Sequence, residues 1–222
     1  MSTLYFVATP IGNLEDLTLR AKRILAEVDF VVAEDKRVTK KLLEHFDIKT
    51  QLLVWHQHSK DADWNKIKKL LNEDKDLAVV TDAGTPGLSD PGGKLIEKVL
   101  IDFPEVNIVP IPGASSLTTI ISIAGIQLDK FLFLGFLPHK KGRQTLMTEI
   151  KDYKRPVIFL ESVHRIQKAL EQLGDCDKQL IVGRELTKKF ETIYRGTAQE
   201  ILEILNADKI QVKGEFIIIV NK

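Results

Sequence analysis

Short apolar runs rich in β-branched and aromatic side chains recur through the first half of the chain: LYFVA at 4–8, FVVAE at 30–34, LAVVT at 77–81 and NIVPI at 107–111. Between them apolar residues repeat at three- and four-residue spacing, which predicts amphipathic helices over about 17–27, 37–46, 62–72 and 94–103. Strand alternating with helix in this rhythm predicts a parallel sheet covered by helices. Pro110, Pro112 and Gly113, followed by a helical stretch from Ser115 to Ala124, predict a hinge. Beyond it, strands are expected at 131–136, 156–161, 179–184, 191–196 and 215–222, and helices at 143–152, 164–173 and 197–205. Two of these strands are separated by only a short segment, so the second sheet is expected to be mixed. The pattern thus describes an α/β chain of two domains, 1–113 with a mainly parallel sheet and 114–222 with a mixed one.

Composition narrows what such a chain can be. With 222 residues, 44% of them hydrophobic, it is long enough to bury a sizeable core and too apolar for disorder. Lysines and arginines number 32 against 31 aspartates and glutamates, a formal charge of +1. No global field draws the chain to nucleic acid or membrane, and an anionic partner must be held by local clusters. The single cysteine, Cys176, cannot form an internal disulfide, which fits a reducing cytoplasm. The N-terminal MSTLYFVATPIGN has no basic lead and reaches Pro and Gly after a short apolar run, unlike a signal peptide. The longest apolar region, IVPIPGASSLTTIISIAGI at 108–126, is broken by Pro, Gly and hydroxyl residues and does not read as a bilayer span.

In open α/β sheets, ligands bind beyond the carboxyl ends of the strands. Three polar segments take that position here: TPIGNLEDLT (9–18), AEDKRVTKK (33–41) and TDAGTPGLSDPGG (81–93), which are expected along one edge. The third can bring backbone N–H groups against a carboxylate or phosphate, because Gly84, Gly87, Gly92 and Gly93 tolerate backbone angles denied to other residues. The same composition also suits an ordinary turn whose Asp and Ser side chains cap their own backbone. Neither a GxGxxG after the first strand nor a Walker phosphate loop occurs.

Taken in order, TPIGNLEDLT, AEDKR, DAGTPGLSDPG, PGASSLTTIISIAG, FLGFLP, FLESVHRI, RELTKKFET and KGEFIIIV resemble the ribosomal-RNA small-subunit methyltransferase I family of the tetrapyrrole methylase superfamily, over nearly the whole chain. The resemblance implies a two-domain tetrapyrrole methylase-like fold that binds S-adenosylmethionine in the cleft between its domains and forms a homodimer. It also implies methylation of the ribose 2′-oxygen of a cytidine in small-subunit ribosomal RNA, whether naked or in the assembled small subunit. Family members often carry Thr where this chain has Lys36, Leu or Ile where it has Gly87, and a second Arg where it has Gln144. Many continue past EFIIIVNK into a small helical module. A corrin-type C-methylase is the alternative within the superfamily, although those enzymes usually open with a glycine-rich loop ending in GD, where this chain has TPIGN. A silent module that binds a nucleotide or scaffolds the ribosome is the alternative from another class.

S-adenosylmethionine presents a carboxylate, an ammonium, a ribose diol and an adenine, and DAGTPGLSDP offers backbone donors, carboxylates and close approach in one loop. By resemblance, Gly84, Thr85, Pro86 and Ser89 form the cofactor wall, Asp82 and Asp90 contact it or brace the loop, and Pro10, Gly113 and Ser115 border the pocket. Methyl transfer to a ribose hydroxyl is an in-line displacement that gains from near-attack positioning and from a base. AEDKR supplies Glu34 or Asp35 as base or acceptor-orienting group and Arg37 for a phosphate; the same residues also suit a surface network in which Asp35 pairs with Arg37.

Basic clusters for RNA are Lys36, Arg37, Lys40 and Lys41; Lys140, Lys141 and Arg143; and Arg184, Lys188 and Lys189. They give salt-dependent phosphate contact with little sequence information, and each also suits a solvated helix face. Trp55-His56-Gln57-His58 can stack a base, but two histidines with no third ligand at a recognisable spacing favour core packing over a metal site. His164 suits a general acid or a helix-start cap, and Glu185, Lys188 and Glu191 suit an ion network between domains.

Overall fold

A strand with side chains buried on both faces must feed two cores, and the first half of the chain does so. The computed structural model describes residues 2–174, 176–207 and 212–221 and divides after Ser115 into two units. The first contains β1 (Thr3–Val7), a 3-10 turn (Leu14–Asp16), α1 (Leu19–Glu27), β2 (Phe30–Ala33), α2 (Lys36–His45), β3 (Gln51–Val54), α3 (Asp61–Asn72), β4 (Leu77–Val79), α4 (Gly92–Asp102) and β5 (Asn107–Ile111). Its strands pair in the order β3-β2-β4-β1-β5, all parallel.

Alternate strand residues sort cleanly between the two faces. Val7, Val31, Ala33 and Ala78 pack with Ala21, Ile24 and Leu25 of α1 and Leu42 and Leu43 of α2. Leu4, Val32, Leu77 and Val79 pack with Trp64, Ile67 and Leu71 of α3 and Leu95 and Val99 of α4. The crossovers leaving β1 and β4 therefore run in opposite directions on opposite faces, so the order reverses between these adjacent strands, and their carboxyl ends open the crevice where doubly wound sheets take ligands.

The strand β3 has no counterpart among the apolar runs of the sequence. It is a four-residue edge strand, Gln51–Val54, exposed at its start and half-buried thereafter, so its apolar run is too short to announce itself.

The second unit contains α5 (Ser116–Ile123), β6 (Leu132–Phe136), α6 (Arg143–Asp152), β7 (Val157–Ser162), α7 (Ile166–Leu173), β8 (Leu180–Arg184), β9 (Thr192–Gly196), α8 (Ala198–Ala207) and β10 (Glu215–Val220). Its sheet has the order β6-β7-β10-β8-β9, with β6 parallel to β7 and the remaining pairs antiparallel, a mixed sheet. Phe159, Val182, Phe216 and Ile218 meet Met147 and Ile150 of α6, Leu170 of α7 and Ile201 of α8 in one core. Gly183 keeps the opposite face of β8 open: a Cβ there would lie 2.8 Å from Ile120 Cδ1 of α5 and 3.0 Å from Leu186 Cδ2. Among the described residues no helix is long and apolar enough to cross a membrane.

Candidate active site

Threonine closes both strands flanking the crevice, and each hydroxyl is used. Thr9, just past β1, donates its Oγ1–H to the Thr81 carbonyl at 3.1 Å, while Thr81 donates its own to Glu34 Oε2 at 2.7 Å. Thr9 and Gly84 exchange two backbone hydrogen bonds, N–H to O at 2.9 and 3.0 Å, an isolated bridge spanning the reversal point. Gly84 makes the bridge at φ +84°, left-handed backbone that a side chain would strain. Thr85 Oγ1 donates to the Ala114 carbonyl at 3.2 Å, tying the loop after β4 to the segment after β5. That segment runs close over the end of β1, since a Cβ on Gly113 would sit 3.0 Å from Ala8 Cβ. Pro10 and Ser115 are buried beside it.

Three carboxylates cluster at the ends of β2 and β4. The Asp35 N–H donates to Asp82 Oδ1 at 3.0 Å, and Glu34 Oε2 takes the Thr81 hydroxyl together with the Asp82 N–H at 3.4 Å, so each loop holds the other. Burial pushes the Asp82 carboxyl above its usual value; the nearby charges of Glu34 and Asp35 add to the rise and the Asp35 N–H opposes it. Asp35 goes the other way. It caps α2 by accepting from the Arg37 N–H at 2.8 Å and receives the Arg37 guanidinium at 2.6–3.2 Å, which lowers its pKa to about 2. The pairing of Asp35 with Arg37 is thus present, and a carboxylate so stabilised is a poor proton acceptor. Glu34 Oε1 has no partner among the described residues.

Asp90 braces its loop. Its two oxygens accept from Gly87 N–H at 2.8 and 2.9 Å, and Oδ1 also takes Gly92 N–H at 2.7 Å. A Cβ on Gly92 would meet that oxygen at 2.8 Å and Gly87 N at 2.9 Å, so the turn closes only around glycine. Pro86 is half-buried, and Ser89, at φ +68°, is exposed.

The basic residues separate into exposed and committed groups. Lys36, Arg37, Lys40 and Lys41 lie on the solvent side of α2, and Lys140 and Lys141 are exposed after β6. Arg143 corrects the expectation of a phosphate contact: only 4% exposed, it pairs with Glu161 at 2.9 Å and bonds Gln172 Oε1 and the Pro138 carbonyl. Lys188 is half-buried between Glu185 and Glu215, each at 2.9 Å, and Arg184 is buried on the Lys213 and Phe190 carbonyls. The Glu185–Lys188 network lies within the second unit rather than between domains. Trp55 is buried against the α3–α4 cluster, and the His58 N–H donates to His56 Nδ1. Among the described residues no group of three or more His, Cys, Asp or Glu side chains is placed to hold a metal. His164 is exposed in the turn before α7.

Thr9 and Thr81 open two of the loop motifs, but the motifs assigned them no role. Their signal was a hydroxyl at the last place of two otherwise apolar runs, YFVAT and AVVT, where a buried polar atom must find a partner.

The model of the tetrapyrrole (corrin/porphyrin) methylases matches residues 3–202. The chain is 43% identical to the ribosomal RNA small subunit methyltransferase I of Halalkalibacterium halodurans, over 98% of this chain and 75% of the relative. It is 40% identical to the protein of that name from Bacillus subtilis, over 99% and 75%. Among solved structures, a cobalt precorrin-4 methyltransferase superposes with a TM-score of 0.69 at 19% identity, covering 98% of this chain and 94% of that one. A uroporphyrin-III C-methyltransferase from Thermus thermophilus gives 0.67 at 17% identity, covering 99% and 94%. At such identities the structural likeness speaks for the fold alone.

Proposed function

Because the chain belongs to the tetrapyrrole (corrin/porphyrin) methylases, and resembles the small-subunit rRNA methyltransferases I along nearly its whole length, we propose that it transfers a methyl group from S-adenosylmethionine to the ribose 2′-oxygen of a cytidine in small-subunit ribosomal RNA. The observation that carries this reading is the stitched edge of the first sheet. The segments after β1, β4 and β5 are locked together by the Thr9–Gly84 bridge and the Thr85–Ala114 bond, with three carboxylates beside them.

The donor set fits the cofactor. The glycines at 84, 87 and 113 suit close approach of the cofactor, the N–H groups of Gly84 and Gly87 being already committed to the Thr9 carbonyl and Asp90, and Asp82 suits its ammonium or ribose diol, with Pro10, Pro86, Ser89 and Ser115 as apolar and hydroxyl walls. Thr85 and Asp90 act as braces, their polar atoms being spent on Ala114, Gly87 and Gly92. When bound, the cofactor supplies an electrophilic methyl carbon.

The remaining work falls to the chain. Glu34, anchored through Oε2 by Thr81, presents Oε1 to orient the acceptor hydroxyl and receive its proton. Asp35 serves as an anchor: it holds the Arg37 guanidinium, whose side chain stays 87% exposed for an RNA phosphate. Lys36 and Lys40 on α2 and Lys140 and Lys141 after β6 add phosphate contacts, needed because the whole chain carries only +1. A homodimer acting in the cytoplasm completes the reading, in keeping with the lone cysteine.

The test is transfer of a labelled methyl group to small ribosomal subunits from a strain lacking ribose methylation in the decoding region, followed by nucleoside mass spectrometry. Label on a ribose-methylated cytidine is the expected result. Label on a base, or none on subunits that a Bacillus subtilis relative methylates, overturns the acceptor assignment.

A further inference from the structure

A strand that alternates regularly would put Phe136 on the face of Leu132 and Leu134, against the second core. It does not lie there. β6 pairs with β7 as Leu132↔Val157 and Phe133↔Ile158, then as Phe136↔Leu160, so three steps along β6 match two along β7. The extra residue is a β-bulge containing Gly135 at φ +58°, and it reverses the faces of the residues beyond it. Leu137 enters the core at 2% exposure, and Phe136 is turned out to 55%.

The loop beyond is built rather than slack. Arg165 Nη1 donates to the Leu137 carbonyl at 2.8 Å and Arg143 Nη1 to the Pro138 carbonyl at 3.3 Å. Both guanidiniums pair with Glu161, whose side chain is fully buried, at 2.8 and 2.9 Å. Arg143 N–H closes the loop on the Lys140 carbonyl at 3.2 Å, and Gly142, at φ +81°, turns it into α6. On this support His139, Lys140 and Lys141 are all exposed. An outward aromatic ring followed by two ammonium groups on a rigid loop is the combination that takes an unstacked nucleobase and its phosphates. A docked protein surface would call for further large apolar neighbours, and the exposed residues that follow Phe136 are Pro138, His139, Lys140 and Lys141.

We propose that Phe136 is a stacking platform for an unpaired nucleobase of the acceptor RNA, with Lys140 and Lys141 holding the adjoining phosphates. The proposal deepens the RNA-methylating reading and rests on it. Stacking is measured on the full chain with a short single-stranded oligoribonucleotide carrying 2-aminopurine, whose fluorescence falls when it stacks. Wild type and Phe136→Tyr should both quench it, and Phe136→Ala should lose the quenching and bind about tenfold more weakly. Lys140→Ala with Lys141→Ala should keep the quenching at saturation while the slope of log affinity against log salt falls by about 1.4.

Equal quenching and affinity in wild type and Phe136→Ala, or no binding by wild type, overturns the proposal. Methyl transfer to small subunits, run alongside, separates the two readings. An unchanged KM for subunits in Phe136→Ala removes the platform and leaves the methyltransferase. Quenching that depends on Phe136 in a chain that transfers no methyl group supports the platform and removes the assigned reaction.

Discussion

The reversal-point crevice depends on single atoms. Gly84→Val places a β-branched side chain at φ +84° with its Cβ 3.4 Å from Ile11 Cγ2, which breaks the Thr9 bridge and should abolish binding of S-adenosylmethionine in titration calorimetry. Undiminished affinity would take the loop out of the cofactor site. Glu34→Gln keeps an acceptor for the Thr81 hydroxyl but loses a proton acceptor, so methyl transfer should slow by roughly 10²–10⁴ with cofactor affinity near wild type. Asp35→Asn should cost less, because a carboxylate held near pKa 2 contributes little as a base. Asp82 has the opposite shift. Its folded pKa is raised, so between the unfolded and folded values the native state holds more protons and stability falls as pH rises, with the whole cost present above the folded pKa. Asp82→Asn removes that charge and retains an acceptor for the Asp35 N–H. Its melting temperature should exceed wild type at neutral pH and match it in acid; a lower value at neutral pH would show that the charge is being used.

Elements hold together with very unequal ties. Lys40 and Glu44, one turn apart on α2 at 3.6 Å with side chains 69% and 64% exposed, contribute at most about 0.5 kcal/mol. The Arg143–Glu161–Arg165 triad, with side-chain exposures of 5%, 0% and 14%, joins α6, β7 and the start of α7. Glu161→Gln leaves two buried guanidiniums without a counter-charge and should destabilise the second unit by about 3–5 kcal/mol in urea unfolding. A loss below about 1 kcal/mol would mean that water reaches the triad. FLESVHRI contains only one of the two arginines that neutralise its Glu, Arg165; the other, Arg143, comes from the start of α6, so the motif alone does not mark the Glu as buried. The central strands, by contrast, were legible: β2 and β4 are apolar on both faces because helices cover both. β3 escaped because an edge strand of four residues needs only three of them half-buried, and the β6 bulge because one glycine in an apolar run does not reveal its φ.

At the scale of the molecule, a binder of the native state alone should raise its stability. S-adenosylmethionine at about a hundred times its dissociation constant adds about 2.7 kcal/mol, an increase of roughly 5–10 °C in melting temperature for a chain of this size. An unmoved transition would contradict the cofactor assignment. With two units, each with its own core, the shift should be sought in the transition that carries the first. What the sequence determined by itself is the alternation of strand and helix, the change from a parallel to a mixed sheet, and the order of the loop motifs, because burial periodicity and turn chemistry are local properties of the chain. Tertiary structure alone decided which polar side chains remain available. Asp35 is neutralised by Arg37 and Asp90 by its own loop, Arg143 is drawn into the core by Glu161, and Phe136 is turned out by a bulge. Each outcome depends on a partner's distance or a backbone angle, and neither is written in residue type.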